Sequence, residues 1–327
     1  MASIILAGDI GGTKSILALF KADGPVLAPL FEKKYTSASF SSVSDLVNHF
    51  RGEAPDCSIK AACLGFAGPV MDGKSQAVNL GWQVDQEMLR RECSLSNLTL
   101  LNDLVALSCA LPFLDGSQLS VLKDGRKGNG NIALLAAGTG LGEALLLRDR
   151  DRFIPCPSEG GHRDFSPRNE EECDLLRFLL ERHGHVSTER VLSGYGIIEL
   201  FLFFLRKTHS SPPPWLEQAI EEKDASPISS LALSNKDPLC CRAMTLFTAL
   251  YGSEAGNLAL QYLATGGVYL GGGIGAKIQP LLCSEVFRNG FTEKGRMREL
   301  LREIPVYLIT DPGAGLLGAA HYAAGHL

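Results

Sequence analysis

The sequence predicts an α/β fold in two domains, and three observations carry that prediction. The chain has 327 residues, more than one hydrophobic core comfortably fills. Short apolar strings of strand length alternate with segments whose apolar residues recur every three or four positions. Glycine reaches 35 residues and clusters inside apolar strings, where backbone must turn tightly or approach something closely.

The elements follow in order. Residues 4–9 (IILAGD) read as a buried strand, Gly11-Gly12 as a turn, and residues 15–20 (SILALF) as a returning strand, a hairpin with a glycine tip. Residues 44–51 read as a helix. Residues 59–65 form a strand ending in the turn GFAGPV, and residues 98–101 a strand that runs into Asn102-Asp103 and an apolar helix. Residues 131–136, the turn AGTGLG and residues 143–147 repeat the pattern of the first hairpin, which hints at two halves of related design. From 170 onward the pattern is mostly helical. Residues 208–238, rich in Ser, Pro and charge, are expected to form a loop with one short helix. A long helix spans about 239–264. VYLGGGIG at 268–275 reads as a strand and glycine turn leading into a helix, residues 305–310 as a last strand, and residues 313–324 as a small-residue helix. The last strand and helix resemble nothing in the helical middle and are expected to return to the N-terminal domain. The expected domains are therefore residues 1–106 plus 305–327, small, and residues 107–304, large.

Composition narrows the function. Apolar residues make up 45% and the net charge is −5, with no basic stripe, which argues against nucleic acid as a partner. An acidic balance is compatible with an anionic ligand such as ATP, because backbone N–H groups and Mg²⁺ hold phosphates without a basic surface. The nine cysteines show no C-x-x-C spacing, which argues against a zinc site, and their odd, scattered placement fits reduced thiols in a cytoplasmic protein. The N-terminus reads as a strand rather than a signal peptide, and no apolar stretch reaches membrane-spanning length.

Five polar or glycine-rich clusters could carry chemistry. Asp9-Ile10-Gly11-Gly12-Thr13-Lys14 could cradle phosphate with backbone N–H groups, Thr13 adding a hydroxyl and Asp9 holding Mg²⁺ through water; an ordinary hairpin turn is the plainer alternative. It is not a Walker loop, because Thr13 interrupts the required Gly-Lys-Ser/Thr ending. Gly138-Thr139-Gly140 presents the same pair of readings. Gly271-Gly272-Gly273-Ile274-Gly275-Ala276 fits G-x-G-x-x-A after a strand, so a dinucleotide site competes with a backbone shelf for adenosine and with a plain turn. Asn102 and Asp103 suit a helix cap, but a carboxylate at a strand's carboxyl end also faces the usual α/β crevice and can act as a general base. Ser158-Glu159-Gly160-Gly161-His162 has Glu-x-x-His spacing, yet two glycines argue against a metal-binding helix. A loop offering one carboxylate and one imidazole suits sugar hydroxyls, with a surface turn as the alternative. Glu189 and Asn79 are ambiguous alone.

Together the strings GDIGGTKS, LLNDLVAL, AAGTGLGEALL, PSEGGHRDFSP, ERVLSGYGI, GGVYLGGGI, IPVYLI and GLLG resemble the bacterial glucokinase family of the hexokinase–actin superfamily, in words, order and spacing, from Gly8 to about Leu317. The resemblance implies a two-domain actin-like, ribonuclease H-like (hexokinase-type) fold around a deep interdomain cleft, with sugar at its bottom and ATP above. It implies that Asn102, Asp103, Glu159, His162 and Glu189 hydrogen-bond the sugar with Asn79 nearby, and that Asp103 takes the proton from the 6-hydroxyl of glucose. It further implies that Asp9, Gly11, Gly12, Thr13, Gly138, Thr139 and Gly140 hold ATP phosphates, that Gly271, Gly272 and Gly273 line the adenosine site, that Mg²⁺ arrives mainly through ATP, and that the chain forms a homodimer. Lys14 departs from the family's frequent Asn. The zinc-binding cysteine cluster of the related repressor–kinase branch is missing, as is a DNA-binding helix pair ahead of the first hairpin. A kinase for mannose, fructose or an amino sugar, or a non-catalytic sugar sensor, would use the same fold.

Overall fold

The computed structural model describes residues 3–24, 26–77 and 81–326, and the chain divides into two compact units. The first comprises Met1–Gln118, Leu146–Pro157 and Asp311–Leu327; the second comprises Leu119–Leu145 and Ser158–Thr310. Asn79 lies outside the described residues.

The first unit is built on a five-stranded sheet of order β3-β2-β1-β4-β7. Its strands are β1 (Ser3–Ile10), β2 (Lys14–Asp23), β3 (Val26–Thr36), β4 (Ile59–Phe66) and β7 (Leu98–Asn102), while β5 (Lys74–Ala77) and β6 (Trp82–Asp85) form a separate ribbon. Strand alternation sends β1 side chains to opposite faces. Leu6 and Ile10 join a core with Leu46, Val47 and Phe50 of the helix Val43–Glu53. Ile5 and Ala7 join another with Leu316, Ala319 and Ala320 of the helix Ala314–Ala324. The sheet is thus covered on both faces, which is why β1 and β4 are almost continuously buried.

Strands β8 (Leu119–Lys123), β9 (Ile132–Ala137), β10 (Leu141–Asp149), β11 (Arg152–Ser158), β12 (Val268–Gly271) and β13 (Val306–Ile309) form a sheet of order β11-β10-β9-β12-β13-β8, of which β8, β9, β12, β13 and the start of β10 (Leu141–Leu145) belong to the second unit. Its large core draws on the helices Gly194–Lys207 and Pro238–Gln261.

Three differences from the sequence reading have physical causes. The run VYLI, expected to belong with the N-terminal strands, pairs in parallel with β12 and antiparallel with β8, and three of its four residues are buried there. Only the helix that follows packs on β1 and β4. Residues 208–238 form two short helices, Leu216–Glu221 and Ser226–Leu233, each seating one or two apolar residues. Strand β3 shows no clear apolar alternation because it is a mostly exposed edge carrying Glu32, Lys33 and Lys34.

Candidate functional site

In the first unit, β1, β4 and β7 run parallel, so their carboxyl ends lie along one edge of the sheet. Asp9 is in register with Gly65, and Phe66 with Asn102. Asp9 and Asn102 therefore stand about two strand spacings apart, ~10 Å, on the edge where α/β sheets bind ligands. The glycine turn between β1 and β2 is closed by Gly11 N–H donating to the Lys14 carbonyl at 3.0 Å. Ser37 braces it from behind: its hydroxyl donates to Gly11 O at 2.7 Å and its N–H to Thr13 O at 3.0 Å. The Asp9 carboxylate accepts no protein hydrogen bond among the described residues, and burial pushes it above its ordinary range.

Asn102 caps the helix Asp103–Ala110. Its Oδ1 accepts the N–H groups of Leu104 (3.0 Å) and Val105 (3.3 Å), while its Nδ2 donates to Gly68 O at 3.0 Å. That cap places Asp103 in the first turn, where its Oδ1 accepts the Leu104 N–H at 2.8 Å. Burial drives the Asp103 carboxyl up to about 6; the Leu104 N–H opposes this and the Asp9 charge adds to it.

In the second unit, β9 and β12 are parallel with Ala136 opposite Gly271, so the turns at 138–140 and 271–273 again share an edge. The first is closed by Gly138 N–H to Gly140 O at 2.8 Å and braced by Gly194 N–H to Gly138 O at 2.9 Å. Gly272 sits at φ +83, and a Cβ there would fall 2.3 Å from Ala137 O, so only glycine lets the helix Gly272–Lys277 start against β9.

The predicted sugar residues of this unit come together. Glu189 Oε2 accepts the Leu141 N–H at 2.9 Å, and its Oε1 lies 3.9 Å from His162 Nδ1. His162 Nε2 lies 3.9 Å from Glu159 Oε2. Both gaps exceed hydrogen-bond length, so the His162 ring and the outer oxygens of both glutamates are not tied to one another. The loop Glu159–His162 is pressed onto β10: a Cβ on Gly160 would fall 1.9 Å from Glu143 Oε2, and one on Gly161 2.1 Å from Leu141 O. Glu143 is buried and pushed up to about 7 by desolvation, with Arg163 pulling it down and Glu254 raising it.

Beside Glu189 opens a cavity of about 610 Å³. Gly138, Thr139 and Glu189 line one side; Tyr195, Ile274 and Ile278 supply apolar wall; Lys223, Asp224 and Lys277 supply charge. Gly271, Gly272 and Gly273 do not line it. Ile274, Lys277 and Ile278 do, from the helix that these glycines begin and the residue that caps it. Lys223, Asp224 and Lys277 carried no motif in the sequence, and Tyr195 stood in the string ERVLSGYGI without a role.

A family model, Glucokinase, matches residues 6–326. The chain belongs to the glucokinase family. The glucokinase of Nostoc punctiforme is 39% identical over 338 aligned residues, covering 98% of this chain and 99% of that one. Among solved structures, a glucokinase from an Antarctic psychrotroph superposes with a TM-score of 0.90 at 33% identity and 99% coverage of both chains. A ROK family glucokinase from Streptomyces griseus, solved with glucose and AMPPNP, superposes with a TM-score of 0.62 at 20% identity, covering 99% of this chain and all of that one, a likeness of fold alone. The chain is therefore an enzyme of the glucokinase family on the hexokinase-type α/β fold. No helix among the described residues is long and apolar enough to cross a membrane.

Proposed function

We propose that this enzyme transfers the terminal phosphoryl group of ATP to the 6-hydroxyl of glucose, with Asp103 as general base. The observation that carries the reading is the position of the half-buried Asp103 carboxyl, just past the carboxyl end of β7 on the ligand-binding edge of the sheet, where desolvation raises it to about 6. A base works best when its pKa lies close below the operating pH, ionised yet still basic enough to accept a proton. Asp103 would orient the hydroxyl and take its proton as the phosphoryl group departs.

The remaining roles follow the chemistry of each cluster. The backbone N–H groups of the turns at 11–13 and 138–140 suit phosphate oxygens, and Thr13 and Thr139 add hydroxyls. The 610 Å³ cavity suits a nucleoside, with apolar wall for a base and Lys277 and Asp224 for polar edges. Glu159, His162 and Glu189 offer acceptors and an imidazole to sugar hydroxyls, and Asn102 retains one N–H beyond its capping duties. Among the described residues no group of three His, Cys, Asp or Glu could hold a metal ion. Mg²⁺ would enter with the ATP phosphates, and Asp9 could hold it through water. Such an ion neutralises charge on the transferring group.

The test is a coupled assay of ADP release with Mg-ATP and a panel of hexoses, run beside Asp103→Asn. Rapid ADP release with glucose, weak release with its epimers and loss of release in the variant are expected. No ADP with any hexose, despite sugar binding by calorimetry, overturns the reading in favour of a sensor.

A further inference from the structure

Arg163 follows His162 directly and is where the loop is fastened. Its backbone N–H and its Nε both donate to the Gly160 carbonyl, each at 3.0 Å. Its own carbonyl accepts the N–H of Thr188, the residue before Glu189, at 2.8 Å. Its guanidinium ends among acceptors from two other elements. Nη2 lies 3.2 Å from Glu143 Oε1 on β10 and bonds Glu254 Oε1 on the helix Pro238–Gln261, while Nη1 donates to Gln261 Oε1 at 3.0 Å. Both glutamates are buried. Glu254 is held in turn by Asn257 Nδ2 at 2.9 Å, and Asn257 Oδ1 accepts from Lys294 Nζ at 2.6 Å.

One residue thus joins the loop bearing Glu159 and His162, the turn bearing Glu189, β10 and the long core helix. We propose that Arg163 is a positioning residue for sugar recognition, an inference that rests on reading Glu159, His162 and Glu189 as the sugar-binding set. It touches no substrate; it fixes where those three side chains stand. A planar guanidinium with five donors reaches Gly160, Glu143, Glu254 and Gln261 at once, which a lysine ammonium cannot. Displacing a positioned group by about 1 Å costs on the order of 100-fold in rate.

The experiment measures KM for glucose and for ATP, kcat and thermal midpoint for Arg163→Met and Arg163→Lys, with Glu159→Gln alongside. Arg163→Met is expected to raise the glucose KM at least about tenfold and the ATP KM less than about twofold. Arg163→Lys is expected to recover part of the loss, a partial rescue that general destabilisation would not confine to the sugar. If Glu159→Gln raises the glucose KM, a folded Arg163→Met with normal glucose KM, or with equal rises in both KM values, overturns the positioning role. If Glu159→Gln leaves the glucose KM unchanged, the sugar-binding set itself is wrong and the positioning role falls with it. Should Arg163→Met fail to fold, Arg163→Lys decides: a selective rise in glucose KM supports the role and an unchanged one overturns it.

Discussion

Asp103→Asn and the pH profile of the parent enzyme probe the same group from two sides. With its carboxyl raised to about 6, Asp103 is ~97% ionised at pH 7.5 and ~9% at pH 5. If only the ionised form accepts the proton, kcat/KM for glucose falls about tenfold across that interval, with an acid limb centred near 6. The asparagine variant keeps the side chain's shape and its acceptor for the Leu104 N–H, so the helix cap and fold are expected to survive. It cannot take a proton, and kcat is expected to drop by roughly 10² to 10⁴. Its residual rate should show no limb near 6. The assay is initial rate of ADP formation at saturating Mg-ATP over about pH 5 to 8, with the coupling enzymes in excess throughout. A flat parent profile, or a variant turning over within tenfold of the parent, refutes the assignment of Asp103.

Other substitutions separate the remaining roles. Glu159→Gln and His162→Ala are expected to raise KM for sugar more than for ATP, and equal rises in steady-state kinetics count against direct sugar contact. Glu189→Ala is expected to raise both, because it also strips the acceptor from Leu141 N–H beside the 138–140 turn; an unpaired donor there costs about 1–3 kcal/mol, readable by urea unfolding. Gly272→Ala forces a side chain at φ +83 against Ala137 O and is expected to cost about 1–3 kcal/mol or more, with a weakened ATP KM; unchanged unfolding contradicts the local geometry. Glu143, with a folded-state pKa of about 7 above the ordinary 4.5, contributes stability below about pH 4.5 that is lost as pH rises through 7. Glu143→Gln is accordingly expected to lessen the fall in thermal midpoint between about pH 5 and 8, and an unaltered slope argues against a raised Glu143.

Much of the fold was legible because its signals are local. Apolar runs bounded by Gly-Gly-Thr and Gly-Thr-Gly located the β1–β2 hairpin and the β9–β10 turn, and Asn102-Asp103 marked both a strand end and a helix start. The placement of VYLI was not legible, since a four-residue buried strand looks alike in either sheet and pairing with β12 is a long-range choice. Strand β11 hid for another reason: RFIPCPS carries two prolines and lies at the edge of its sheet. Within the candidate site, His162 lies 3.9 Å from both Glu159 and Glu189, and nothing in the spacing of 162 and 189 required that proximity. Lys223 and Asp224 were invisible because they lie in a polar, proline-rich segment, and Lys277 because a lone lysine at a helix end reads as solvated. Arg163 is one letter of the string PSEGGHRDFSP, and its pairing with Glu143 on β10 and Glu254 on the long helix depends on tertiary contacts that no local pattern encodes.

The enzyme is expected to use ATP to phosphorylate glucose at its 6-hydroxyl. The most direct measurement couples the reaction to a dehydrogenase that oxidises only glucose 6-phosphate, while ADP is counted in parallel. One reduced nicotinamide for each ADP formed is expected, with both signals lost in Asp103→Asn. ADP formed without reduced nicotinamide would place the phosphoryl group elsewhere, and no ADP in the presence of glucose and Mg-ATP would contradict the account as a whole.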